Sequence, residues 1–488
     1  MFRHLTPPST GRWSPVLLVL LSVTAVSACA HELPYARIDR ALQDGNPAEG
    51  VALLETAQDV YGSKSTALYL MDKGMVQYLA GRYTDSIQSL SAAEALTEDL
   101  YTRRIRSEVE AFLTSDNALP YEGEEFEKVL LNVFLAIDYV HLGQWNDALV
   151  EARKVDHKLT VLADRNQKRM TYTRDALAHY LSGILYEATG DLSNAFVSYR
   201  LALEAFEDYR KNYSTAVPDL VRQDLLRVSE ALGLNQEHQE YQQAFPGLTW
   251  QSEAASKSDG ELVFITHAGR APIKRDLFVD VPFSPAALAV VLATKRYDRY
   301  DTYNNRAAES ILYGLTGRVM RLAVPQFVPR RSMIAQTEAV ILSGNARYTA
   351  RAALMEDITA IAVKDLDDRL LRTTVKAVAR AAWKFALAEA VRVGVRSSIK
   401  DKEAGAVVGA LAGAVAHMIA VGSEEADKRS WATLPDRIFV GRLKVPPGTY
   451  DVELRHIGAY GGVVATQVLK GVTITERSKH FVSARVLQ

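Results

Sequence analysis

The side chains that could do chemistry are few and poorly grouped. The chain of 488 residues has ten histidines and one cysteine. No two histidines show the HExxH or HxxxH spacing that sets two imidazoles on one helix face for zinc, so no metal site is signalled. The single thiol, Cys29, excludes intrachain disulfides and cysteine metal clusters. Ser397 and Lys400 match the SxxK spacing of serine acyltransferases but lack the companion motifs. Gly314-Leu315-Thr316-Gly317 is too short to cradle a phosphate, and no Walker or dinucleotide pattern occurs. Arg330-Arg331, after Phe327-Val328-Pro329, is the best candidate for gripping an anion, because guanidinium forks bind phosphate or carboxylate bidentately. A solvated loop charge, or a bridge to an acidic part of the same chain, is its competing use. Trp431 beside Arg429 could anchor a partner or plug an internal seam between a small-residue helix and a β-module. No cofactor is implied.

The cysteine has an obvious use of another kind. Val26-Ser27-Ala28-Cys29 closes an apolar run, Val16 to Val26, that follows Arg3 and Arg12. A basic start, a short apolar core and small residues form a secretory signal. The run of about a dozen residues is too short to span a bilayer. These four residues resemble the lipobox of bacterial lipoproteins, which implies cleavage before Cys29 and acylation of its sulfur and its new N-terminus. Two or more acyl chains, at about 0.8 kcal/mol per buried methylene, give stable attachment. Ala30 stands where an aspartate would favour inner-membrane retention, so the resemblance implies an outer-membrane anchor facing the periplasm. An ordinary cleaved signal with a chance cysteine is the competing reading.

Those candidates need elements to hold them, and composition allows several. Removing 28 residues leaves enough chain for two to four domains, and 24% charged and 48% hydrophobic residues are ordinary globular values. Charge is unevenly spread. Cys29 to Trp250 carries 21 Lys+Arg against 34 Asp+Glu, whereas Ala268 to Lys400 carries 22 against 12. Either the two parts dock on each other, or the basic part faces an anionic polymer or lipid. An exported, anchored chain is not expected to meet nucleic acid.

The acidic half reads as helical repeats. Gly74 to Tyr78, then Gly81, Tyr83, Ser86, Leu90 and Ala93, follows the tetratricopeptide register. A second copy runs through Ala136, Tyr139, Gly143, Trp145, Ala148 and Ala152. A third has Gly183, Tyr186, Gly190, Leu192, Ala195, Tyr199 and Ala202. Gly45 marks an opening half-copy and Gly233 a weaker final pair. The equivalent glycines are irregularly spaced, so helices are expected to be lengthened or inserted, notably around Leu113 to Glu127. Stacked helix pairs leave a concave face suited to a protein or peptide, with Tyr78, Tyr139, Trp145, Tyr186 and Tyr199 as its expected aromatic contacts. A generic helical bundle is the plainer alternative.

After a polar linker, Gln251 to Gly260, the pattern changes. Glu261 to Thr266 reads as a strand, Arg306 to Val319 as a helix, and Ala339 to Leu342 as another strand. Helices are expected over Ala352 to Val363 and Asp365 to Arg396. Between Ala404 and Val421 the only polar side chain is His417, and Gly405, Gly409 and Gly413 recur every fourth residue. That spacing allows close helix packing or membrane contact. Strands are expected at Arg437 to Leu443, Tyr450 to Arg455, Val463 to Leu469, Val472 to Thr475 and His480 to Val486, with Pro447-Gly448 in a type II turn.

Ala426-Asp427-Lys428-Arg429-Ser430-Trp431-Ala432-Thr433-Leu434-Pro435, with Arg442 and Val445-Pro446-Pro447-Gly448-Thr449-Tyr450, resembles the C-terminal signature of a family of bacterial lipoproteins. That family pairs a tetratricopeptide-like half with a Gly/Ala-rich helix and this segment, so the resemblance covers nearly the whole mature chain. It has an uncharged residue where Lys428 stands. The resemblance implies work in the cell envelope or on peptidoglycan, and no catalytic residue is established in the family to carry over.

The expected organisation is a multi-domain α+β chain. It has a signal (1–28), a tetratricopeptide-like solenoid (29–250), a linker (251–260), a mixed α/β unit with long helices (261–422) and a small β-sandwich-like module (423–488). The expected function is a non-enzymatic, lipid-anchored scaffold that binds envelope proteins through its repeats. An envelope-polymer-modifying enzyme using carboxylates or Ser397 is one alternative. A membrane-active, self-assembling component built on the glycine-spaced helix is the other.

Overall fold

The computed structural model describes residues 34–106, 119–165, 171–252, 258–282, 319–370, 374 and 426–488. Cys29, Ser397, Lys400, the glycines at 314 and 317, His417 and the stripe Gly405, Gly409 and Gly413 lie outside them. The helix expected over 306–319 also lies outside them, except that Val319 opens a strand.

The acidic half is a stack of antiparallel helix pairs. It opens with α1 (Tyr35–Gln43), α2 (Pro47–Thr56) and the single turn α3 (Gln58–Tyr61). The pairs are α4 (Thr66–Leu79) with α5 (Tyr83–Arg106), and α6 (Glu125–His141) with α7 (Trp145–Arg165). Then come α8 (Ala176–Ala188) with α9 (Leu192–Tyr213), and α10 (Asp219–Ala231) with α11 (Asn235–Ala244). Each turn carries the glycine its register requires. Gly81, Gly143, Gly190 and Gly233 have φ between +67° and +80°, the left-handed conformation that ends a helix with least strain in glycine. The small positions on the first helices answer to contact. A Cβ on Gly183 would lie 2.3 Å from the Tyr199 ring, so only glycine lets α8 and α9 approach. Unequal helix lengths, from 10 to 24 residues among these pairs, account for the irregular spacing.

The described residues beyond it form two four-stranded sheets and one antiparallel pair of strands. The strands are β1 (Gly260–Ala268), β2 (Ile273–Pro282), β3 (Val319–Val328), β4 (Ile334–Ser343), β5 (Ala346–Arg351), β6 (Ala353–Asp357), β7 (Arg437–Val445), β8 (Gly448–Gly458), β9 (Val463–Ile474) and β10 (Lys479–Val486). One sheet has the order β10-β1-β7-β6, the other β5-β4-β8-β9, and β2 pairs with β3. β1 is parallel to β10 and antiparallel to β7.

Several expectations change. β1 and β4 come from the first β segment, yet they pair with β7, β10 and β8 from the last, so 261–345 and 423–488 share their sheets. The expected helix 352–363 is β6 followed by a helix, α12, over 358–370. Ala353, Leu354, Met355 and Glu356 are good helix formers, but pairing with β7 overrides that preference. The two strands expected at 463–475 are one, bulged at Gly471 (φ +66°), whose N–H donates to Asp451 Oδ1 at 2.9 Å. Gly448 opens β8 without the positive φ that a type II turn needs there.

Side-chain alternation explains the layering. Leu262 and Phe264 of β1, Phe439 and Leu443 of β7, and Val482 and Ala484 of β10 pack with Ile341, Val452 and Leu454 of the second sheet. The opposite residues, including Val263, Ile265, Ile438, Val440 and Phe481, join the core of the helical stack. The order is therefore helices, sheet, sheet, and β1 is buried along its whole length. Among the described residues no helix is long and apolar enough to cross a membrane. Replacing Gly183 with valine should lower stability by about 1–3 kcal/mol, as overpacked cores do, which urea denaturation of the purified protein would measure.

Candidate functional site

The inner face of the stack, built by the first helix of each pair, is the surface where a repeat protein would hold a ligand. Here it holds the chain's own sheet. β1 runs along it from the α4 end to the α10 end, and each repeat meets it differently.

At the α4 end, Tyr78 Oη donates to Ser483 Oγ at 2.7 Å and lies 2.7 Å from His267 Nε2. Ser483 Oγ is 2.8 Å from His141 Nε2. With Tyr78 donating to Ser483, the consistent assignment has His267 donating to Tyr78 and Ser483 donating to His141, both imidazoles neutral. Burial favours that state, lowering His141 to about 4 and His267 well below the ordinary histidine value. A serine beside a neutral imidazole is the elementary unit of nucleophilic catalysis, but here it closes a packed seam. The His141 ring stacks on Tyr83 with centroids 4.4 Å apart, and Ser483 already accepts from Tyr78.

Nearby, buried Asp72 accepts from Tyr35 (2.7 Å), Tyr61 (2.8 Å) and Thr433 (2.7 Å). Burial raises its pKa to about 6, against the lowering effect of those hydrogen bonds. Asp138 has one donor, Ser86 Oγ at 2.6 Å, and its other oxygen is unpartnered. Burial pushes it up to about 8.

In the middle, the signature segment threads between α4, α6 and the sheet. The Trp431 side chain packs edge-on against Phe134, and its backbone N–H donates to Glu127 Oε1 at 2.7 Å. Arg429 donates to the carbonyls of Lys64 (3.1 Å) and Leu119 (3.0 Å) and lies over the Tyr121 ring. Trp431 plugs a seam against the repeat helix α6, and the small-residue helix expected beside it lies outside the described residues.

At the α10 end, six charged groups meet in near-complete burial. Arg442, with 4% of its side chain exposed, reaches Glu187 (2.7 Å), Asp224 (2.8 Å) and Glu261 (2.7 Å). Arg227 pairs with Glu187 and with Asp224 (2.8 Å), and Lys479 pairs with Glu187 (2.7 Å) and Glu261. Three carboxylates face three cations, so the cluster is formally neutral. Nearby cations hold Glu187 and Glu261 below the usual carboxylate range despite burial. A cleft of about 650 Å³ opens on this cluster, with Trp250, Arg347, Tyr348 and Lys444 on its walls. The C-terminal signature held Arg442 but none of the rest, because the other residues come from α10, the 249–251 loop, β1, β5 and β7.

The expected contact residues therefore fare unequally. Tyr78 is spent on the sheet. Tyr199 accepts from Arg442 (3.0 Å) and donates to Glu187 (2.7 Å), and the Trp145 ring lies 5.7 Å from that of Phe481. Tyr139 and Tyr186 stay half-buried, and Tyr186 accepts from Arg153. Arg330 and Arg331 are not a free anion grip. Arg330 donates to the carbonyls of Ala271 (2.7 Å) and Ala432 (3.0 Å), and Arg331 bridges Asp357 (2.6 Å) and Asp436 (3.3 Å). Sequence reasoning missed Glu187, Asp224 and Glu261. Their types are visible in the chain, but their convergence needs the stack. Among the described residues no group of three or more His, Cys, Asp or Glu could hold a metal ion.

This geometry defines a helical-repeat protein closed on its own β-sandwich. No family model and no curated protein matches the chain. Among solved structures it is similar to the apo form of RapI, at 10% identity and TM-score 0.33 over 84% of this chain and 82% of that one. It is also similar to MamA (15% identity, TM-score 0.26, 42% and 89%). A third likeness is to the TPR-like repeats of a Podosopora anserina putative kinesin light chain (15% identity, TM-score 0.29, 43% and 89%).

Two outcomes follow. Arg442→Met leaves three buried carboxylates facing two cations and should cost about 3–5 kcal/mol, read from denaturant midpoints. Asp138 keeps its proton in the folded state to about pH 8 but releases it near 4 when unfolded. Its contribution is thus fully present at low pH and declines as pH rises toward 8, by up to about 1.4 kcal/mol per unit. Asp138→Asn should flatten that decline between pH 5 and 8 in chemical denaturation.

Proposed function

We propose that the chain is a non-catalytic, lipid-anchored scaffold of a bacterial envelope, tethered through Cys29 to the outer membrane and facing the periplasm. The observation that carries the reading is the sheet lying along the inner helices. A repeat stack whose groove is filled in cis keeps its outer helices for partners. There Leu142, Val150, Val161 and Val197 remain 40–48% exposed on α7, α9 and the turn before α7. A protein or peptide partner of the envelope meets that side, where exposed aliphatic side chains can be covered. The Val26–Cys29 pattern supports the anchor, and the family resemblance supports an envelope or peptidoglycan setting.

Crosslinking in cells should capture discrete envelope proteins, and Val150→Asp with Val161→Asp should abolish that capture without moving the thermal midpoint. Capture of random neighbours only, equal in wild type and variant, would count against the scaffold. Cys29→Ser should release the protein from the membrane fraction and remove fatty-acid labelling.

A further inference from the structure

The β8–β9 connection forms an apolar promontory at one end of the sandwich. From Ile457 to Leu469 the chain has no charged side chain. Tyr460 is fully exposed at 104%, Val463 is 54% exposed and Val464 39%. Met333, at 61%, stands beside them, because the segment leading into β4 runs against the end of β8. The hairpin is well built. Gly458 N–H donates to the Gly462 carbonyl at 2.9 Å, and Gly461 N–H returns to the Gly458 carbonyl at 2.9 Å. These apolar side chains are therefore held outward on an ordered turn.

Its position is informative. The promontory shares an end of the molecule with α1. Arg270, just past β1, pairs with Asp39 of α1 at 2.7 Å. Neighbouring Gly269 abuts Ser332, the residue before Met333, with a Cβ-to-Cβ approach of 2.6 Å if a Cβ is built on the glycine. α1 begins at Tyr35, six positions after Cys29. Six residues span at most about 22 Å when fully extended. A lipid on Cys29 therefore brings this end of the molecule to the bilayer, while α11 and the cleft stand at the other end. An aromatic ring and aliphatic side chains held outward on an ordered turn suit the boundary between acyl chains and headgroups.

We infer that Met333, Tyr460, Val463 and Val464 insert into the lipid surface as a second membrane contact, orienting the anchored protein with its repeats pointing away from the bilayer. The inference rests on the anchoring of Cys29 proposed above. A tether alone leaves the body free to rotate, whereas a second contact fixes which helices face a partner.

The test uses the full chain isolated from membranes and reconstituted in phosphatidylethanolamine and phosphatidylglycerol vesicles. Cys29 is the only cysteine and is blocked when acylated, so Tyr460→Cys or Gln236→Cys supplies one thiol for an environment-sensitive fluorophore. Position 236 is exposed on α11 and serves as the aqueous control. Lipids brominated in the acyl chain should quench the probe at 460 at least twofold and leave the probe at 236 unchanged. Equal, weak quenching at both positions, with fatty-acid label present on Cys29, overturns the insertion and leaves the anchor intact. Absence of fatty-acid label overturns the anchor instead. The same pair of probes in a Cys29→Ser background, mixed with vesicles, then decides the insertion by the same twofold difference.

Discussion

A strand buried on both faces must satisfy two unlike surfaces at once, and β1 is that strand. Leu262, Phe264 and Ala268 complete the sandwich, while Val263, Ile265 and His267 complete the helical stack. Removing either partner would expose one of two apolar faces, at roughly 25 cal/mol per Å² of surface uncovered. The repeats and the sandwich are for this reason one folding unit with a shared core. Neither is an arm on which the other hangs.

Charge arranges the same union. The acidic half and the basic segment could have faced each other or an outside polyanion, and the structure shows them joined. Asp39 meets Arg270, and Glu124 receives both Lys274 and Arg369. The six-group cluster at Arg442 extends that pattern to β7 and β10. Buried pairs are weak sources of net stability but costly to leave half-made. Their effect is to fix where along the inner helices the sheet must stop, because a shift by one strand residue would turn Glu261 away from Arg442 and Lys479.

Much of the local structure was legible beforehand. The turn glycines at 81, 143, 190 and 233 marked the helix pairs, because a left-handed residue after a helix is a requirement of the backbone alone. Gly74 and Gly183 marked close helix approach, and the strands after Arg437 were placed in the right order, though β8 is longer than expected and two expected strands are the single β9. What failed was long-range. Ala353 to Asp357 looked helical and is a strand, because its partner lies some eighty residues away in β7. Of the aromatic residues chosen as ligand contacts, Tyr78, Tyr139 and Tyr186 lie on the first helices of their pairs, and Trp145 and Tyr199 on the second. That Tyr78, Tyr199 and Trp145 meet Ser483, Arg442 and Phe481 of the same chain could not be read from spacing.

By itself the sequence determined the helical pairs, their turns, most of the strands and an N-terminal segment with the pattern of an acylated signal. All of these depend on residues within a few positions of one another. Only the tertiary structure decided that the groove is filled, that Arg330 and Arg331 are spent internally, and that Glu187, Asp224 and Glu261 converge with three cations. Those outcomes depend on which distant faces meet. Alternation and helical period say that a face is apolar or charged, but they do not say what will cover it.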